Sequence, residues 1–263
     1  VEKKLLARMR AMVPEKYHQM LTPNYPMGCK RIILDPGYYE SLSRPNVELT
    51  NQKIDTFTEN GVRCQDGTEV QVDVIVLATG FQLTSDKVAL DLNAHGKSLA
   101  DVWKEKNGPQ AYFGTSHSGF PNFVTLIGPN LGSGNYSALG SAEMQITMVE
   151  QLLRPLVKKG VKSLEVKEDA EQEYNDEIQD RLMASVFSQC TSWYRNGMDG
   201  KITATKPGLW LEFWYRTRKV DYSKYLQQGG QPLKNATSAF TQFTLLAAGV
   251  AVALSAYRMN VLA

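Results

Sequence analysis

The stretch from Val72 to Gln82, reading VDVIVLATGFQ, constrains the fold of this chain more than any other. A β-branched apolar run of this kind reads as a strand covered on both faces, as in the sheet of an α/β protein. The run stops at Ala78, Thr79 and Gly80, whose small side chains let a bulky ligand approach the strand's carboxyl end. In open α/β sheets nucleotides sit at that edge, so the segment points to a dinucleotide enzyme. A buried strand followed by an ordinary glycine turn has the same pattern.

A length of 263 residues allows one large domain or two small ones. The formal net charge of +2 offers no basic field for nucleic acid. Cys29, Cys64 and Cys190 are odd in number and widely spaced, which argues against a disulfide framework or a zinc ribbon and fits a reducing compartment. The chain opens at Val1 with a basic amphipathic stretch instead of a signal peptide, and it reads as part of something longer.

Leu5, Leu6, Met9, Met12 and Val13 recur at helical spacing until Pro14 interrupts them. A proline and glycine loop carrying the adjacent cations Lys30 and Arg31 follows, then a short apolar strand over Ile32 to Leu34. Between Glu48 and Val72 the turn pairs Asn60-Gly61 and Asp66-Gly67 predict hairpins. Beyond Gly80 a long connection has Leu99 and Trp103 on one helical face. Gly119-Phe120-Pro121-Asn122 predicts a turn, and Phe123 to Ile127 another apolar strand.

A glycine-rich loop from Gly128 to Ser137 leads into a helix with Ser137 as N-cap and Gly160 as C-cap. A second helix is expected from Ala170 to Phe187, with Tyr174, Ile178 and Leu182 on its apolar face. The segment Cys190 to Gly197 fits no regular template, and aromatic-rich strands are expected around Ile202 and from Leu209 to Tyr215. Between Lys234 and Arg258 there is no charged residue, and Phe240 to Tyr257 is mostly apolar. That length approaches the roughly 20 residues of a membrane span, so the tail reads as a membrane helix or as a terminal helix packed on the domain.

The loop Gly132-Ser133-Gly134-Asn135-Tyr136-Ser137 comes close to a dinucleotide fingerprint but has Ser at the third glycine, and no strand-end carboxylate follows it. It does not read as a pyrophosphate site. The free N–H groups of the helix it opens could instead stabilise negative charge on a reduced flavin. His18, His95 and His117 lack metal-ligand spacing, and no nucleophile elbow or lysine P-loop occurs.

The order of Tyr25-Pro26-Met27-Gly28-Cys29-Lys30-Arg31, Tyr38-Tyr39, Pro45-Asn46-Val47, Asp73 to Phe81, Gly119-Phe120-Pro121-Asn122, Gly128-Pro129-Asn130, Glu143-Met144-Gln145 and Ser192-Trp193-Tyr194 resembles the carboxyl half of Baeyer-Villiger flavin monooxygenases. The resemblance runs from about Pro14 to Trp214. It implies an α/β fold that is an incomplete two-dinucleotide-binding flavoprotein, with FAD and NADPH as cofactors and a small ketone and O2 as substrates. It also implies roles at matching positions. Arg31 would be the catalytic arginine, a fixed cation beside developing negative charge. Lys30 would lie near the extra phosphate of NADPH, and Trp193 in a loop touching the nicotinamide. Asn130 and Ser137 would lie beside the flavin ring, with Ala78, Thr79 and Gly80 at the cofactor edge of the opening strand.

The resemblance also implies what is missing. The glycine fingerprints for both dinucleotides, the carboxylate partner of Arg31 and the signature FxGxxxHxxxW/P are not in this sequence and belong to an amino-terminal half. The expected organisation is the remainder of an NADP-binding domain with a hairpin leading back to the FAD domain (1–80), the carboxyl-terminal part of the FAD domain (81–228), a linker (229–239) and the apolar tail (240–263). The location implied is the cytoplasmic side of a membrane, with the tail as anchor. N- or S-oxygenating flavin enzymes share the opening strand and form the second enzyme reading. A non-catalytic remnant or membrane-attached interaction module is the third.

Overall fold

The computed structural model describes residues 1–80, 92–132, 137–195 and 200–235. Phe81 and Gln82 of the opening strand, the loop residues 133–136 and the apolar tail lie outside the described residues. Among those described, no helix is long and apolar enough to cross a membrane.

Helix α1, Glu2–Met12, follows the apolar spacing of its sequence and stops where Pro14 removes a donor. It buries Met9 and Val13 against Tyr17 and Leu42, forming a small core with the single helical turns α2 (His18–Leu21) and α3 (Tyr38–Ser41) alongside. The hairpin prediction holds. Strands β1 (Ile54–Thr58), β2 (Gly61–Cys64) and β3 (Glu69–Gln71) form an antiparallel sheet in that order. Its second turn is closed by Asp66, whose carboxylate accepts from the Thr68 amide at 2.9 Å.

Past this sheet the opening strand departs from expectation. A last ladder bond runs from the Val72 amide to the Asn60 carbonyl at 3.0 Å, and residues 73–80 then form no strand. Val74, Val76 and Leu77 are 76%, 81% and 70% exposed. Ile32 to Leu34 is likewise neither strand nor buried. A strand of the doubly covered kind needs neighbours on both edges and layers on both faces, and no described segment supplies them. The sheets present are small and antiparallel.

The remainder packs around one large core and a smaller one beside α4. Strands β4 (Asn93–Ala94) and β5 (Lys97–Ser98) lead into α4, Leu99–Glu105, capped by Ser98. Leu99 and Trp103 share its buried face against Phe120, as the spacing predicts. Helix α5, Ala138–Lys158, starts at Ser137, whose hydroxyl accepts from the Gly140 amide at 3.2 Å. It ends at Lys158 with Lys159 as the C-cap, and Gly160, expected in that place, follows in the left-handed region.

Strand β6, Val161–Val166, pairs antiparallel with β7, Tyr225–Gly229, so residue 229 ends a strand instead of opening a linker. The other edge of β6 is taken by the predicted turn. Asn122 donates to the Lys162 carbonyl at 3.0 Å and accepts from the Leu164 amide at 3.0 Å, so its side chain imitates a paired strand. Phe123 to Ile127, expected as a strand, contributes only a single bridge at Val124 because Asn122 already occupies that edge.

Helix α6, Glu168–Met183, buries Tyr174, Ile178 and Leu182 as predicted but ends four residues early, where Ser185 caps a 3-10 turn. The expected strand from Leu209 to Tyr215 is instead α7, Trp210–Thr217. The period decides it: Phe213 and Thr217, four apart, are both buried, while Tyr215, which alternation would bury with them, is 52% exposed. Two bidentate pairs fasten α7 to α6, Arg181 with Glu212 (2.6 and 2.8 Å) and Arg216 with Glu177 (2.7 and 2.8 Å).

Candidate functional site

Three stretches far apart in sequence meet around residues 190–195. The first is the cation loop. Cys29 is fully buried and disulfide-bonded to Cys190, with the Cα atoms 6.1 Å apart across a sequence separation of 161. This overturns the expectation of unpaired thiols, since spacing along a chain says nothing about distance across a fold. Only Cys64 is free among the described cysteines.

The bond ties the residue before Lys30 and Arg31 to the segment that leads into the Ser192-Trp193-Tyr194 turn. Tyr194 is buried, with its phenol pushed up by that burial while the charge of Arg31 pulls it down. Lys30 lies over the Tyr25 ring at 4.5 Å. Both cations are exposed, and neither has an ion-pair partner among the described residues. Beside them a cavity of about 180 Å³ is lined by Leu6, Met9, Tyr25, Lys30, Arg31 and Tyr39.

The second stretch is the turn itself. The rings of Trp193 and Tyr194 are 4.4 Å apart, and the Tyr194 carbonyl accepts from the amides of Thr203 (2.9 Å) and Ala204 (3.2 Å). Trp193 remains part-exposed, with its indole tip 3.9 Å from where a Cβ on Gly132 would stand. It therefore touches the third stretch, the glycine-rich loop.

That loop is held from several sides. Asn130, in the left-handed region, donates its side-chain amide to the Ile202 carbonyl (2.7 Å) and the Thr205 carbonyl (3.0 Å), and its backbone N–H to the Thr203 carbonyl (2.6 Å). Both side-chain donors point into the scaffold, so Asn130 positions the loop instead of offering its NH2 to a ligand. Gly128 admits no side chain, because a Cβ would collide with the Gly114 carbonyl and the Thr125 hydroxyl. Sequence reasoning missed Gln145 as a positioning residue. Fully buried, it donates to Thr115 Oγ1 (2.7 Å) and the Gly114 carbonyl (2.9 Å) and accepts from the Ile127 amide (2.6 Å). Its place in Glu143-Met144-Gln145 was the available signal.

Ser137, at the head of α5, faces a cavity of about 460 Å³ shared with Glu143, Met144, Thr147, Trp210 and Trp214. Ala78, Thr79 and Gly80 are exposed, and a Cβ on Gly80 would meet no atom within 4 Å, so the structure does not join them to the cluster. His117 is a core residue bonded to Thr125 Oγ1 at 2.9 Å. Lys201 and Lys206, both pushed down to about 8 by burial, serve the scaffold through Gln110 (2.6 Å) and the Pro207 carbonyl (2.9 Å).

The cluster thus gathers the cation loop, a part-exposed indole and the Gly132 end of the glycine-rich loop, while Ser137 faces the separate cavity beside Trp210 and Trp214.

No protein-family model matches the chain. It is 38% identical over 209 residues to a Baeyer-Villiger monooxygenase of Streptomyces coelicolor, covering 78% of this chain and 40% of that protein. It is 36% identical over 209 residues to one of Pseudomonas aeruginosa, covering 78% and 39%. The structure of OTEMO in complex with FAD and NADP superposes with a TM-score of 0.72 at 25% identity, over 86% of this chain and 44% of that one. The chain thus spans about two fifths of the length of the curated relatives it matches. In sequence and in fold it is similar to the Baeyer-Villiger-type flavin monooxygenases.

Proposed function

We propose that this chain is the carboxyl-terminal portion of an FAD- and NADPH-dependent monooxygenase that inserts one oxygen atom beside the carbonyl of a ketone. Ketone, O2, NADPH and a proton would give an ester or lactone, NADP+ and water. The observation that carries this reading is the convergence of Arg31, Trp193 and the Gly132 loop, held by the Cys29–Cys190 link and by Asn130. Bound FAD and NADPH supply the oxygen activation and the reducing electrons.

The chain's own residues then have limited tasks. Arg31 holds a permanent charge against the negative charge that develops as the ketone oxygen gains electron density. Lys30 meets the phosphate that distinguishes NADPH. Trp193 covers the nicotinamide and excludes water. Ser137 fixes the start of α5, whose dipole favours negative charge on the flavin's pyrimidine edge. Ala78, Thr79 and Gly80 line the cofactor edge once residues 72–77 are paired. The partner this requires is an amino-terminal portion bearing both glycine fingerprints.

The test joins the chain to such a portion and follows NADPH oxidation and ester formation over a ketone panel. Arg31→Ala should lower ester formation on the order of a hundredfold or more with flavin still bound. Retained ester formation in that variant would remove the role given to Arg31.

The apolar tail is proposed as an attachment to the cytoplasmic face of a membrane. Carbonate-resistant sedimentation that disappears on deleting residues 240–263 is expected, and release of the intact chain by carbonate would refute it.

A further inference from the structure

The disulfide sits where it can control the site. Cys29 directly precedes Lys30 and Arg31, and Cys190 is three residues before Trp193. At no more than about 3.6 Å per residue, Arg31 lies within roughly 7 Å of Cys29 and Trp193 within roughly 11 Å of Cys190, and the bond holds those two anchors 6.1 Å apart. Other ties on the cation loop are sparse. Residues 29–34 have no regular structure, and the backbone bond at Cys29 is a single 3.2 Å contact to the Pro26 carbonyl. A Cβ added at Gly28 would meet only Val186, at 3.7 Å. The opposite side is firmer, with Tyr194 buried and Arg195 bonded to the Gly200 carbonyl (2.8 Å) and the Ser188 carbonyl (3.2 Å). The covalent bond therefore joins a loosely held loop to a well-held one.

Cys29 is shut off from solvent, whereas Cys190 is part-exposed. An attacking thiolate thus meets residue 190 first and expels the Cys29 sulfur. The remaining cysteine, Cys64, is buried in β2.

We propose that Cys29–Cys190 is a redox-operated tether that fixes Arg31 against the Trp193 turn when oxidised and releases it when reduced. Reduction by a dithiol takes two electrons and two protons: the S–S bond breaks, two thiols form, and the reductant becomes a disulfide. Reoxidation by hydrogen peroxide runs through one thiolate attacking the O–O bond, giving a sulfenic acid and, after protonation, water. The second thiol then displaces a further water as the S–S bond re-forms. In a reducing compartment such a bond cycles instead of serving as a permanent staple. The functional weight of the tether rests on the roles proposed for Arg31 and Trp193, but its existence and local action do not.

The experiment uses the full 263-residue chain, oxidised with stoichiometric hydrogen peroxide or reduced with dithiothreitol. Non-reducing peptide mapping should recover a cross-linked Cys29–Cys190 pair in the oxidised sample. Tryptic cleavage after Lys30 and Arg31 should quicken at least tenfold on reduction, while cleavage after Arg181 in α6 stays unchanged. Cys190→Ser should show the quickened pattern with or without dithiothreitol. The proposal is overturned if both cysteines alkylate fully in the oxidised chain. It is overturned equally if reduction leaves cleavage after Lys30 and Arg31 unaltered, or if cleavage in α6 quickens to the same degree, which would make the bond a general staple. None of these readouts depends on catalysis, so a failed tether and a failed assignment of Arg31 are told apart.

Discussion

Residues 112–228 and the stretches 32–34 and 72–77 are comparably apolar in places but solve their burial problem differently. In the first region α5, α6, α7 and the β6–β7 ribbon cover one another around Phe113, Leu152, Ile178, Leu182 and Phe213. In the second, Ile33 and Leu34 on one side and Val74 and Val76 on the other are held out to solvent. Exposed apolar residues in this density mark a surface made to be covered. The contrast separates a scaffold that covers itself from apolar segments left uncovered, and it agrees with a match that spans only about two fifths of the curated relatives' length.

The largest expected effect lies in the scaffold. Leu182 is wholly buried, and Leu182→Ala leaves a cavity among α6, α7 and the 3-10 turn. A loss of about 3 kcal/mol of unfolding free energy is expected in urea titration followed by circular dichroism. A loss below about 1 kcal/mol would mean that this region is not one tight core.

Acid should strike the same region nearly as hard. Burial, reinforced by the Lys106 charge, pushes His117 down from 6.5 to about 4. A depressed imidazole pKa means that the unfolded chain binds the extra proton first. The stabilising contribution is therefore complete above about 6.5, declines as pH falls toward 4, and is gone below it. The shift corresponds to about 3 kcal/mol. Urea midpoints at intervals from pH 7 to 4 should fall more steeply for the parent chain than for His117→Gln. Parallel slopes would show that the imidazole is not buried neutral.

How much of this was readable in the sequence follows the same division. Helices α1, α5 and α6 were legible because their burial is one-sided and their ends carry local signals, such as Pro14, Ser137 and Gly160. The hairpin was legible from Asn60-Gly61 and Asp66-Gly67. Helix α7 was not, because Trp210, Phe213, Trp214 and Tyr215 favour strands by composition, and only tertiary partners such as Glu177 and Phe113 reveal which face is buried. β7 was missed since Gln227 and Gln228 carry no apolar alternation. At the site, Arg31 and Trp193 came from family resemblance, whereas their connection through two cysteines 161 residues apart is a property of the fold alone.

The smallest effect is the one that decides the comparison. Val76 lies in the run that sequence patterning marks as doubly buried, yet it is 81% exposed in this chain. Val76→Ser removes almost no buried area here, so the urea midpoint should move by less than about 0.5 kcal/mol equivalent. Once an amino-terminal portion pairs with residues 72–77, the same substitution takes a methyl-rich side chain out of a sheet interior and leaves a hydroxyl there. It should then cost about 2 kcal/mol. A large cost in the isolated chain would show that the strand already has a cover, and a negligible cost in the joined protein would show that it never acquires one.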